Sequence, residues 1–323
     1  MNNTIPTSST LTGRDRWDHF LARFGIRRMQ HLVQPGLYTL GSPDKESPVF
    51  VTANYTLSFD ALRAALQGQN AYILVLETKG INVWCAAGKG TFGTDELVSK
   101  IKSTGLEEWV NHRRMILPQL GATGVSAHDV KKQSGFEVEY GPVRAEDLPD
   151  YLVNHHATAE MRKVRFNLTD RLVLAPVEMA NTFLPVVVIA GIAYLLGGWF
   201  NVLWVLAAWL AASVVFFALL PWIPTREFSS KGLILGTLAA IPFVIYQFSQ
   251  VENPVWYNLM RVLPMGLIMT AAVSFITLNL TGSTPITSWT SVRREIFRYV
   301  PILAFMGGTG ILLAIVGYFR FWK

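Results

Sequence analysis

The sequence predicts an α/β domain followed by an all-α membrane domain, and three observations predict it. Residues 1–178 hold 39 of the 50 Asp, Glu, Lys and Arg residues, which leaves 11 for the rest of the chain. The stretch Met179–Thr225 holds none over 47 positions, more than twice the roughly 20 residues of one bilayer crossing. The charged half alternates short apolar runs with amphipathic segments, the pattern of strands and helices that build a parallel sheet.

Three regions follow: an N-terminal extension (1–47), the α/β domain (48–175) and the membrane domain (176–323). In the α/β domain "PVFVTA" (48–53) reads as a strand. "SFDALRAALQG" (58–68) places Phe59, Leu62 and Leu66 on one helical face and stops at Gly68. "AYILVLE" (71–77) is apolar throughout, as expected of a strand covered on both faces. "INVWCA" (81–86) reads as a short extended piece leading into the loop "CAAGKGTFGT". "GTDELVSKIKSTG" (93–105) is a helix with Thr94 as N-cap and Gly105 as its stop. Then come a strand (113–120), a helix (126–135), a strand (136–142) and a helix (145–156). Ligands of such sheets lie at the carboxyl ends of the strands, and the loop after 81–86 sits at one.

In the second half, five spans are expected near 180–198, 200–221, 232–251, 262–280 and 299–319. The segments 161–171, 225–231 and 291–298 share one side and are rich in Lys and Arg, which places them and the α/β domain in the cytoplasm of a multi-pass inner-membrane protein. The C-terminal "RFWK" dissents, since an odd number of spans puts it outside. The expected spans carry no Asp, Glu, Lys, Arg or His, which favours an anchor over a proton-coupled transporter. A polar stretch at 279–297 reads either as a connector or as a lid facing the cytoplasmic domain.

The formal net charge is +6, but no basic stripe with interleaved aromatics accompanies it, and loop charges that orient a membrane protein explain it better than nucleic acid does. The start "MNNTIPTSST" shows no signal-peptide pattern. Cys85 is the single cysteine, so neither an internal disulfide nor a multi-cysteine zinc site is possible. Its neighbourhood fails the phosphate-loop pattern, because Val83 stands at the first glycine position and Gly90 follows Lys89. "GKGTFG" (88–93) fits a dinucleotide fingerprint, although no acidic residue ends the next strand. From spacing alone, Cys85 is equally well a small buried apolar residue.

The residues quoted also carry a resemblance. "NVWCAAGK" (82–89) agrees at every position with the signature of the mercury-methylating corrinoid proteins. "ETKGINVWCAAGKGTFGT", "GVSAHDVKKQSGF" and "YGPVRAEDLP" are similar to the corrinoid domain of the acetyl-CoA pathway corrinoid iron–sulfur protein, over about residues 48–175. The five-span tail resembles the mercury-methylating family only.

The resemblance implies a Rossmann-like corrinoid-binding fold and a membrane-anchored, corrinoid-dependent methyltransferase. It would pass a methyl group from cobalt to Hg(II), as a carbanion or a radical. The alternative is a methyl carrier of acetyl-CoA-pathway type with another acceptor. The resemblance makes Cys85 the catalytic residue and lower axial ligand of a base-off cobalamin-type cofactor. Contacts to that cofactor would come from Thr52, Ser58, Asn82, Val83, Trp84, Cys85, Ala86, Gly88, Lys89 and Gly90. His112, His128, His155 and His156 are other cobalt ligands in principle. Implied partners are a small ferredoxin-like iron–sulfur protein as electron donor and a methyltetrahydrofolate-linked methyl donor.

Overall fold

The computed structural model describes residues 4–250, 253–283 and 289–319. They divide into two compact units, one of residues up to 22 with 26–165, the other of 23–25 with 166 onward.

The first unit is built on a six-stranded mixed sheet of β1 (Ile5–Thr7), β2 (Gly36–Leu40), β3 (Val49–Ala53), β4 (Ala71–Leu76), β5 (Arg114–Leu117) and β6 (Glu137–Tyr140), in the order β1-β2-β4-β3-β5-β6. The four central and right-hand strands β4, β3, β5 and β6 run parallel. β2 pairs antiparallel with β4, Leu37 opposite Leu74. The sheet therefore begins inside the expected extension. Every residue of β3 and β4 is buried, as their unbroken apolar runs require.

Alternation divides the core. Val49, Val51, Ala53, Leu74 and Leu76 face α3 (Val83–Lys89), α4 (Thr94–Thr104), α5 (Leu106–Trp109) and α6 (Ala127–Ser134). Phe50, Ile73 and Val75 face α2 (Thr56–Ala65) and α7 (Leu148–Asn154) on the other side. The helices α1 (Gly13–Arg23) and α2 are tied by Arg63, whose guanidinium donates to Asp60 at 2.6 Å and Asp15 at 2.9 Å.

Two local expectations change. The extended piece at 81–86 and much of its loop are instead the helix α3. The Asn82 side chain accepts the Cys85 N–H at 2.9 Å and starts the helix, and Gly90, at φ 80, ends it. Thr94 is the first residue of α4 rather than its cap, and its hydroxyl instead accepts the Ser126 N–H at 2.9 Å. Gly105 does end α4, at φ 60.

In the second unit α8 (Leu168–Leu172) leads into α9 (Ala175–Leu210), which continues through a π-turn into α10 (Phe216–Leu219). The remaining helices are α11 (Phe228–Phe248), α12 (Val255–Asn279) and α13 (Trp289–Gly317). Among the described residues, four helical stretches are long and apolar enough to cross a membrane: Leu168–Leu219, Phe228–Phe248, Val255–Asn279 and Thr290–Gly317. Five separate spans were expected; the first two lie within Leu168–Leu219. That stretch is folded on itself. Gly197 and Gly198 leave helical geometry, Gly198 at φ 66, and the Trp209 indole donates to the Thr182 hydroxyl at 2.8 Å. In a straight helix those two residues would stand about 40 Å apart.

The helices also start before the expected spans and take in two buried charges. Lys231, in α11, donates to the carbonyls of Leu220 and Ile223, and Glu295, in α13, accepts the Ser229 N–H at the start of α11. Both serve helix ends, whose backbone groups have no partner within the helix. Gly232 and Gly236 bring α11 and α12 together: a Cβ on Gly232 would lie 2.5 Å from the Ser274 Cα, and one on Gly236 2.8 Å from the Thr270 Cα. This is the small-residue spacing of packed membrane helices. Of the polar stretch 279–297, residues 284–288 lie outside the described residues and 289–297 form the start of α13. The terminal "RFWK" also lies outside them.

Candidate functional site

In this sheet β3 leads to β4 on one side and the chain then returns to β5 on the other. The reversal opens a crevice beyond the carboxyl ends of β3 and β5, where ligands of open α/β sheets bind. A cavity of about 330 Å³ lies there. Thr52 comes from the end of β3, Ser58 from the first turn of α2, Pro118 and Leu120 from the end of β5, and Pro142 and Val143 from the end of β6. Asn82, Val83 and Trp84 supply the wall from the start of α3. The lining is largely apolar, and Arg144 is the one charged residue in it; its Nη1 also donates to Glu146 at 3.0 Å.

A buried asparagine sets the position of α3. Asn54, just past β3, accepts the N–H groups of Thr78 and Gly80 at 3.0 and 3.1 Å and donates to Glu77 at 3.0 Å. The Thr78 hydroxyl lies 2.8 Å from both the Asn54 side-chain oxygen and the Ile81 carbonyl. This fixes the turn between β4 and α3. The other side of α3 rests on the turn around Gly124, where an added Cβ would lie 2.2 Å from the Phe92 carbonyl oxygen and 2.9 Å from the Ala87 Cα. Tyr140 donates to the Val125 carbonyl beside that turn, and burial raises its phenol above the ordinary value despite an opposing backbone hydrogen bond with Ala127.

Five of the ten expected contact residues line the cavity: Thr52, Ser58, Asn82, Val83 and Trp84. Cys85, Gly88, Lys89 and Gly90 are not part of its wall but are exposed on α3 and its end. Gly88 lies one turn beyond Trp84 and Cys85, and nothing stands within 4 Å of where its Cβ would be. Ala86 differs: it is fully buried in the core beneath α3, and its carbonyl accepts the Thr91 and Phe92 N–H groups, which fold the chain back after the helix. None of His112, His128, His155 and His156 lines the cavity; His112 is engaged with the Ser47 carbonyl at 2.9 Å. Among the described residues no group of three His, Cys, Asp or Glu side chains is placed to hold a metal ion. Asn54, Thr78 and Arg144 escaped the sequence reading. Thr78 and Arg144 stand inside the quoted stretches, and a polar residue directly after a buried strand is the signal that marks Asn54.

Comparison with known proteins concerns this same unit. Residues 27–152 match the family described as CO dehydrogenase/acetyl-CoA synthase delta subunit. The chain is 33% identical over 122 residues to the acetyl-CoA decarbonylase/synthase complex subunit gamma of Methanopyrus kandleri, covering 37% of this chain and 26% of that protein. It is 34% identical over 127 residues to the subunit of the same name from Methanothermobacter thermautotrophicus, covering 39% and 27%. It is 28% identical over 118 residues to the corrinoid/iron–sulfur protein large subunit of Moorella thermoacetica, covering 36% and 26%. The matched region thus spans about a quarter of the length of these curated relatives.

Proposed function

We propose that the chain is a membrane-anchored, corrinoid-dependent methyltransferase whose methyl acceptor is Hg(II). The observation that carries this reading is the single exposed thiol of Cys85, on the bare face of α3 next to the cavity. The similarity to corrinoid/iron–sulfur and acetyl-CoA decarbonylase/synthase subunits supports a corrinoid ligand for this domain. The eight-residue match around Cys85 supports the acceptor.

The residues present fit a base-off corrinoid. The largely apolar cavity, at about 330 Å³, falls within the size range of small-molecule sites and would take the tail of such a cofactor. Arg144 would meet the phosphate of that tail, with Thr52 and Ser58 as hydrogen-bonding partners. Trp84, Cys85 and Gly88 would meet the macrocycle, with Lys89 and Gly90 at its margin and Asn82 and Val83 beneath.

The corrinoid, when bound, supplies a methyl group carried on a redox-active metal. The chain's part would be to hold a soft, strongly donating sulfur, that of Cys85, toward that metal, since ligand softness tunes a macrocycle-bound metal. Asn82 fixes that sulfur by capping the helix that bears it, and the Asn54 network holds the turn before it. One cysteine cannot ligate an iron–sulfur cluster, so electrons would come from a ferredoxin-like partner, and the methyl group from a methyltetrahydrofolate-linked donor. Five crossings, counting the two arms of the Leu168–Leu219 hairpin separately, with the α/β unit in the cytoplasm, would keep the site beside both donors.

The relatives favour a second reading, a methyl carrier of acetyl-CoA-pathway type with another acceptor. Anaerobic purification of the full chain, a visible spectrum and an assay of methyl transfer to Hg(II) separate the two. A corrinoid spectrum with methylmercury formation is expected. A corrinoid spectrum without transfer to Hg(II) would leave the carrier reading alone, and no corrinoid would overturn both.

A further inference from the structure

The helix α1 is inverted with respect to an ordinary surface helix. Its acidic side chains face the protein. Asp15 meets Arg63 at 2.9 Å, and Asp18 lies 2.8 Å from Nδ1 of the buried His31. His19, on the same side, lies 2.7 Å from Asp60. The opposite stripe carries Trp17 and Phe20, 60% and 45% exposed, stacked with centroids 5.2 Å apart. Exposed Arg14 and Arg16 flank them. The turns after the helix repeat the composition, with Ile26 and Met29, 45% and 62% exposed, on either side of Arg27 and Arg28.

A surface helix normally turns its apolar stripe to the core and its charges to water. Here hydrogen bonds and ion pairs hold the polar side inward and leave stacked aromatics facing out. Arginines beside exposed aromatic and aliphatic side chains are the composition of a helix that lies in a membrane interface. The aspartates that would neutralise the arginines are engaged on the inner side, so the outer face suits anionic headgroups, which attract basic segments. Among the described residues, four helical stretches are long and apolar enough to cross a membrane, and such a crossing would tether a bilayer to the chain. We propose that the exposed face of α1 docks onto the anionic surface of that bilayer. The proposal needs no corrinoid; it rests only on the second unit crossing the membrane.

The test uses the full chain in lipid nanodiscs, carrying Cys85→Ser and one nitroxide label at a time. Gly13→Cys reports the outer stripe one turn before Trp17, where a Cβ meets nothing within 4 Å. Lys132→Cys, exposed on α6, is the aqueous reference, and Leu263→Cys, in α12, the membrane reference. In discs containing phosphatidylglycerol, the label at 13 is expected to lose accessibility to a nickel chelate relative to 132 while keeping accessibility to oxygen. Trp17→Ser with Phe20→Ser, or discs of phosphatidylcholine alone, should restore the nickel signal. A label at 13 as open to nickel as 132 would overturn the proposal, and so would one shielded from both reagents, since that means protein covers it. Nickel access at 263 would remove the membrane crossing itself, and the docking with it.

Discussion

On one side of α3, Val83, Ala86 and Ala87 are buried against the sheet and the Gly124 turn; on the other, Trp84, Cys85, Gly88 and Lys89 are exposed. Both sets come from the same seven residues. The buried set is what packing demands: small side chains where backbones approach closely. Packing does not explain the exposed set. A helical glycine costs roughly 0.5–1 kcal/mol relative to alanine, and a tryptophan 40% exposed gives up apolar burial. The difference teaches that the buried face serves the fold, while the open face, suboptimal for the fold, is the one the proposed corrinoid reading assigns to a ligand. Substitutions on the two faces should therefore fail in different ways.

The largest effect is expected beneath the helix. Gly124→Val drives side-chain atoms into the Phe92 carbonyl and the Ala87 backbone, an overpacking that costs about 1–3 kcal/mol or more. Thermal unfolding of the full chain should show the loss, and corrinoid binding should fall with it. Unchanged melting would mean that α3 is not seated against that turn.

On the open face, a Cβ at Gly88 would meet no atom within 4 Å, so Gly88→Leu is expected to move stability by no more than about 0.5 kcal/mol. Corrinoid affinity should nonetheless fall at least about tenfold, or ~1.4 kcal/mol. A titration of the apoprotein checks this, and wild-type affinity would show that no ligand lies over this face.

Asn82 belongs to both faces, since it lines the cavity and caps the helix. Asn82→Ala should cost about 1 kcal/mol, whereas Asn82→Asp keeps the cap and should recover most of it. Equal losses for the two variants, followed by chemical denaturation, would remove the capping role.

Much of the α/β unit was legible because its signals are local. Buried strands β3 and β4 appear as apolar runs, and Gly105 stops α4 where a left-handed residue is needed. The seven-residue α3 was misread as extended because it is too short to show periodicity, and its start depends on one side chain, Asn82. β2 was missed because only its pairing with β4 places it in the sheet. Five of ten proposed contact residues line the cavity, all from strand ends or helix starts, whereas Ala86 could be assigned to the core only once the helix was known. Asn54 acts through a turn 23–26 residues away, a distance that no local pattern encodes. In the membrane unit, hydropathy found the apolar segments but not the buried Lys231 and Glu295, whose partners are helix ends elsewhere in the chain.

The central claim is that the Cys85 thiol acts on the bound cofactor rather than in the fold. Its most direct test is Cys85→Ala in the full chain, compared with wild type at matched protein level and matched corrinoid occupancy. Because the side chain is exposed, melting should be unchanged within about 0.5 kcal/mol, while the visible spectrum of the bound corrinoid shifts and methyl transfer to Hg(II) is lost. An unshifted spectrum with wild-type transfer would contradict the account.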